Sequence, residues 1–136
     1  MRVFLDANVL FSASNPESIM GRLIKQAALR LTLMTNTFVE TEARRNLTLK
    51  RPQWISEFEQ ILEKTEQVAD TMFDLPVSLN QKDQPVLCSA IRSNCKYLVT
   101  GDKRDFGPLY DQTVEGVIII SPVQFAQILK DIPRKN

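Results

Sequence analysis

Four carboxylates stand out in a chain that contains no histidine. Asp6 ends an apolar run, "RVFLD". Asp102 follows "LVTG" at the end of another. Glu42 lies within one helical pattern, and Asp83 opens a second. The absence of histidine removes Ser-His-Asp and Cys-His catalysis, His-ligated zinc and His general-base ribonuclease chemistry together. There are two cysteines, Cys88 and Cys95, and no CxxC pair. If they share the helix expected over 81–95, they lie about 10 Å apart along its axis. That is too far for a disulfide, so the thiols point to a reducing, cytoplasmic setting. Carboxylates, amides, hydroxyls and Lys/Arg are left to do the chemistry.

Each acid has a plain alternative. An Asp after a strand is often a turn former or a helix cap, and this applies to Asp6 and Asp102 alike. Glu42 is placed by helical rotation of about 100° per residue. Its position falls within the arc of Phe38, Val39, Ala43, Leu47 and Leu49, beside Asn46, whereas Glu40 falls outside it. A carboxylate on a buried face needs a partner; the alternative is a salt-bridged Glu at the helix edge. Asp83 heads the stripe Val86, Leu87, Ala90, Ile91 and Asn94. It is also a favoured N-cap with Pro85 in the first turn. If all four meet, each pair near 4 Å costs about 1 to 4 kcal/mol at solvent-to-surface dielectric values. A cation would relieve this repulsion, and all-oxygen ligation selects a hard ion, Mg²⁺ or Mn²⁺.

The elements that must position these acids read as alternating strands and helices. Strands are expected over 2–6, 31–35, 96–100 and 116–120. Helices are expected over 16–30, 35–50, 53–70, 81–95 and 122–130. Thr35, Asn36 and Thr37 are the cap candidates for the second helix. The segment "TMFDLPVSL" is either a short strand or an extended crossing. "VFL", "YLV" and "VIII" are continuous apolar runs, the pattern of strands buried on both faces. The expected fold is therefore α/β: a three-layer α/β/α sandwich around a mostly parallel sheet of four to five strands. In such sheets the functional crevice lies beyond the carboxyl ends of the strands, where Asp6 and Asp102 fall.

The remaining composition is ordinary. The 136 residues suit one domain, 1–136. Seventeen Lys+Arg against sixteen Asp+Glu leave a net charge of +1, so any polyanion site must be a local patch. The opening apolar run is cut by Asp6, which argues against a signal peptide, and no run reaches the length of a membrane span.

Taken in order, "FLDANVLFSA", "TFVETEARRNL", "KDQPVLCSAI" and "LVTGDKRDF" followed by "GVIIISPVQF" resemble the PIN domain family. The resemblance runs from Arg2 to about Leu129 and is nearest to the small prokaryotic PIN domains that include VapC-type toxins. Members are mostly metal-dependent ribonucleases. The resemblance implies that Asp6, Asp83 and Asp102 hold Mg²⁺ or Mn²⁺, with Asp105 a further ligand. Glu42 would ligate directly or through water, or orient the nucleophile. Asn8 and Thr100 would hydrogen-bond around the ligands. RNA is the implied substrate, an antitoxin protein the implied partner and a homodimer the implied assembly. The segment "DIPRKN" and the closing helix are candidates for the dimer contact.

Several cations adjoin these motifs. Lys82, Lys103 and Arg104 could hold flanking phosphates or be solvated charge. Arg44, Arg45, Lys50 and Arg51 could follow an RNA backbone or offset the acidic helix after them. Trp54 could stack a base, though a core anchor is the better expectation. Two other function classes compete. One is a catalytically silent PIN-like module that binds RNA or protein. The other is a haloacid-dehalogenase-like phosphatase, which wants an acid two residues after Asp6, where Asn8 stands.

Overall fold

The computed structural model describes residues 1–133. Six strands form one sheet: β1 (Arg2–Leu5), β2 (Thr32–Asn36), β3 (Thr65–Val68), β4 (Tyr97–Val99), β5 (Thr113–Val114) and β6 (Val117–Ile120). Their order is β3-β2-β1-β4-β6-β5, parallel except for the β5–β6 hairpin. Helices α1 (Ala7–Ala13), α2 (Ile19–Ala28), α3 (Thr37–Lys50), α4 (Ile55–Glu63), α5 (Gln84–Arg92) and α6 (Pro122–Lys130) connect the strands and cover both faces. The expected α/β sandwich with a mostly parallel sheet is what the chain forms. The core is buried Val, Leu, Ile and Phe from the central strands, with Phe58, Phe106 and Phe125 packed against them.

The differences from the sequence reading lie in the details. The sheet has six strands, more than the four to five expected. The helix expected over 53–70 is a short 3₁₀ turn at Pro52–Trp54, then α4, then β3. "TEQV" holds two good helix formers, Glu66 and Gln67, between the β-formers Thr65 and Val68, and pairing with β2 overrides the preference of the central pair. Glu66 and Gln67 are exposed there, as suits a strand at a sheet edge, where charge discourages pairing with other chains. A helix not anticipated, α1, starts directly after β1, because the Asp6 carboxylate accepts from Ala7 N at 2.7 Å. The helix expected over 16–30 is shorter, α2, and is capped by Ser18.

The helix expected over 81–95 is α5 and ends at Arg92. Asn94 takes a positive φ of 56° and turns the chain out of the helix. Cys95 therefore lies beyond the helix, not on it with Cys88; both thiols are free and buried. In the hairpin, Glu115 and Gly116 both have positive φ, the two-residue turn whose twist matches the strands. Of the closing segment, Ile132 packs against the core, and residues 134–136 lie outside the described residues. Among the described residues no helix is long and apolar enough to cross a membrane.

This topology sets where a site can form. From β1 the chain moves outward to β2 and β3, then returns to the other side of β1 as β4. The order in which strands are added reverses between the parallel neighbours β1 and β4, and a crevice opens beyond their carboxyl ends. Leu5 pairs with Val99 in the ladder, so Asp6 and Thr100 leave the sheet side by side.

Candidate metal centre

The end of the β1–β4 ladder continues into a side-chain network. Asp6 N donates to Val99 O at 3.1 Å. The Thr100 hydroxyl donates to Asp6 Oδ2 at 2.8 Å. Thr100 Oγ1 in turn accepts from Asn8 Nδ2 at 3.3 Å and from Asp102 N at 3.1 Å. A hydroxyl offers one donor and two acceptor positions, so Thr100 is fully used and ties three residues together. Asn8 completes the knot: Nδ2 also donates to Asp6 Oδ2 at 3.3 Å, and Oδ1 accepts from Gly101 N at 2.7 Å. A Cβ at Gly101 would stand 3.2 Å from Asn8 Oδ1, so a side chain there would press on the clamp. The Tyr110 hydroxyl donates to Thr100 O at 2.7 Å, and Asp102 Oδ1 accepts from Asp105 N at 3.1 Å.

Opposite this network stands Asp83. It is the residue before α5, in the N-cap position, yet its side chain makes no capping bond. Its carboxylate is buried, and Oδ2 has no hydrogen-bond donor among the described residues. Carboxylate oxygens of Asp83, Asp102 and Asp105 come within 4.8 Å of one another. Glu42 enters from α3, half-buried, and lines the same cleft as Asp6, Asn8, Asp83 and Asp102. The cleft holds about 380 Å³, and Phe11, Asn46, Lys50 and Lys82 complete its walls.

The electrostatics follow from this crowding. Asp6 is pushed up to about 6, first by burial; hydrogen bonds from Thr100 and Ala7 oppose the rise, and Glu42 and Asp102 add to it. Asp83 is pushed up to about 7, first by burial and then by the Asp105 carboxyl beside it. Burial and crowding favour the protonated form of both acids, so a compensating positive charge is what would keep them ionised at neutral pH. Lys82 supplies little: its Nζ is 3.9 Å from Asp105 and largely exposed. An unpartnered buried oxygen within a set of hard oxygen donors, with no His or Cys nearby, fits Mg²⁺ or Mn²⁺.

The structure thus brings Asp6, Glu42, Asp83 and Asp102 to one cleft, with Asp105 at its side. Asp6 does cap a helix, but only through Oδ1. Glu42 lies at the edge of the buried stripe rather than within it: Val39, Ala43 and Leu47 are buried, while Phe38 and Leu49 are exposed.

The cations divide. Lys50 and Lys82 reach the cleft. Arg44 does not: it pairs with Glu59 and Glu40 and stacks 5.0 Å over Phe58, so it offsets the acidic helix α4 instead of offering itself to RNA. Arg45 lines a separate surface depression with Thr41, Arg44, Thr48 and Leu49. Lys103 faces a different hollow, beside Tyr110, Asp111 and Gln124, and Arg104 is exposed. Trp54 packs against the core. Phe11 and Tyr110 had no signal of their own in the sequence. Phe11 could have been found from its helical spacing to Asn8 once α1 was known. Tyr110 owes its contact to the hairpin.

Fold and site together define a doubly wound α/β protein with a carboxylate cluster at its topological switch point. No protein-family model matches the chain, and no curated protein does. Among solved structures, the fold is similar to one in the crystal structure of VapBC2 from Rickettsia felis bound to a DNA fragment from its promoter. The TM-score is 0.65 at 16% identity, covering 89% of this chain and 98% of that one. At that identity the likeness establishes the fold.

Proposed function

We propose that this protein is a metal-dependent endoribonuclease of the PIN type, acting as the VapC-like toxin of a toxin–antitoxin pair. The observation that carries the reading is Asp83 Oδ2, buried and without a partner among converging acids. A residue kept only to cap α5 would turn its carboxylate to the helix N–H groups; this one does not. The likeness to a VapBC2 structure supports the toxin and antitoxin part of the reading, and two free cysteines agree with a cytoplasmic setting.

Asp6, Asp83 and Asp102 would hold the ion, with Asp105 at the flank. When bound there, a divalent ion would supply Lewis-acid polarisation of the scissile phosphate and activation of water. The chain's own residues do the rest. Thr100 and Asn8 fix the Asp6 carboxylate and the Asp102 backbone, which keeps the donor set in place before substrate arrives. Glu42 stands free of the network, where it can accept a proton from, or orient, the attacking water. Lys82 is placed to receive a flanking phosphate.

The test is incubation with structured and single-stranded RNA in Mn²⁺, Mg²⁺ or EDTA, beside Asp83→Asn. Cleavage that needs the ion and is lost in Asp83→Asn is expected. A thermal melt with Mn²⁺ runs in parallel, since a selective nuclease ignores most RNA. Neither cleavage nor Mn²⁺ stabilisation, with wild type and variant alike, would overturn the reading in favour of a silent binding module.

A further inference from the structure

The cleft is not acidic throughout, and its other half carries information about the substrate. Along α3, Glu42, Asn46 and Lys50 are spaced four residues apart and all line the cleft. Residues at this spacing share one face of a helix. Over about 12 Å of helix, that face passes from carboxylate to amide to ammonium. Across from it, α1 presents Asn8, Phe11 and Ser12, again at the spacing of one face. Phe11 is half-buried. Its ring meets Trp54 at 5.7 Å, edge to face, and Arg51 lies 5.5 Å over Trp54. Phe11 therefore lines the cavity while its ring packs on Trp54, which does not line it.

Resting on the nuclease reading above, we propose that Phe11, Asn46 and Lys50 form a subsite for one unpaired nucleotide next to the reacting phosphate. The base lies against Phe11, Asn46 addresses its hydrogen-bonding edge, and Lys50 receives the following phosphate. A polyanion needs a cation along its path, and Lys50 is where the acidic face ends. A nucleobase needs an aromatic surface and an amide, which offers both donors and an acceptor. One cleft of about 380 Å³ takes in all three side chains.

Trp54 is the chain's sole tryptophan and touches Phe11, so its emission reports on the subsite without any cleavage. Purified full chain is titrated with a short mixed-sequence oligoribonucleotide, an abasic strand of equal length, and a duplex. Wild type is measured in EDTA, and Asp83→Asn in Mg²⁺ to relieve acid repulsion. A saturable emission change with the intact strand, and weaker binding of the abasic strand and the duplex, is expected. Phe11→Leu should weaken binding of the intact strand about tenfold, leaving the abasic strand unaffected. Phe11→Tyr, which keeps the ring, should restore it. Lys50→Ala should weaken both strands alike, and Asn46→Ala should level the preference among homopolymers.

Equal affinity for intact and abasic strands, or Phe11→Leu binding as wild type with an unchanged melting temperature, would overturn the subsite. So would no base-dependent binding in either condition. If RNA is cleaved while the abasic strand binds equally, the subsite fails and the nuclease stands. If base-dependent binding is seen with neither metal-dependent cleavage nor Mn²⁺ stabilisation, the nuclease reading fails and the nucleotide subsite stands without it.

Discussion

The two walls of the acidic cleft are built on different physics. The first, at the ends of β1 and β4, is a closed hydrogen-bond network. Asp6 Oδ1 accepts from Ala7 N, Oδ2 from Thr100 and Asn8, and the backbone beyond Thr100 is held by Asn8 and Tyr110. The second, at the start of α5, has Asp83, whose Oδ2 finds no ordinary hydrogen-bond donor among the described residues, and the Asp105 carboxyl beside it. Both aspartates are buried and both are held above their ordinary range. One wall is complete without any ligand; on the function proposed above, a cation would complete the other. A rigid half and a half that waits for its ion is how a metal site can be preorganised yet still select for occupancy.

The sharpest way to break this comparison is to neutralise one acid from each wall. Asp6→Asn and Asp83→Asn should each lower metal-dependent RNA cleavage by about 1,000-fold, the scale of losing a metal's charge stabilisation. Their metal-free stabilities should move in opposite directions. Asp83→Asn removes a buried, unpartnered charge and should raise the melting temperature in EDTA. Asp6→Asn puts an NH₂ group where Thr100 and Asn8 both donate, and should lower it. If both melting temperatures moved the same way, the two walls would not differ as described.

A smaller effect is expected from the node of the first wall. Thr100→Val keeps the shape and removes a hydroxyl that makes three hydrogen bonds. Loss of about 1 to 3 kcal/mol in denaturant unfolding and about 10- to 100-fold in cleavage should follow. Thr100→Ser should recover most of both. Full activity in Thr100→Val would show that the acids hold their geometry unaided.

The contrast between the walls also separates what was readable in the sequence. Asp6 and Asp102 were legible because an acid after an apolar run in a parallel sheet has one place to go. The apolar runs themselves gave the sheet's central strands. Asp83 was ambiguous, because an N-cap and a ligand occupy the same position; only the missing capping bond separates them. Glu42 was found on an arc drawn too wide, since Phe38 and Leu49 are apolar yet exposed. β3 was hidden because "TEQV" has no pattern of its own and becomes a strand only by pairing with β2. Arg44 read as a candidate for RNA because its partners, Glu40, Glu59 and the Phe58 ring, meet only in the folded chain.

The next test sharpens the comparison through protons. Asp6 and Asp83 have folded-state values, about 6 and about 7, above those of an unfolded aspartate. The folded state therefore binds their protons more tightly. Their contribution to stability is fully present below about pH 4 and is lost as pH rises through these values. In EDTA, this part of the melting temperature should fall across that window. Mn²⁺ needs the acids deprotonated, so the rise it gives should be several degrees larger at about pH 8 than at about pH 5. In Asp83→Asn the pH dependence should shrink, leaving the part set by Asp6. A rise from Mn²⁺ that is equal at both pH values would place the ion elsewhere.

The smallest expected effect concerns Tyr110, which reaches from the turn before β5 to Thr100 O at 2.7 Å. If the first wall is held by many bonds, losing this one should matter little. Thr100 keeps its backbone N–H to Ile120 O at 3.1 Å, and its hydroxyl still ties Asp6, Asn8 and Asp102. Tyr110→Phe keeps the ring packed against the core and removes only the donor. A loss of about 1 kcal/mol, with cleavage reduced only a few-fold, is the expected result, read by denaturant unfolding and initial rates. Faster amide exchange at Thr100 and Asp102, with Asp83 unaffected, would place the loosening in the first wall alone. A loss larger than that of Thr100→Val would mean that the hairpin, and not the threonine hydroxyl, holds Asp102 in place.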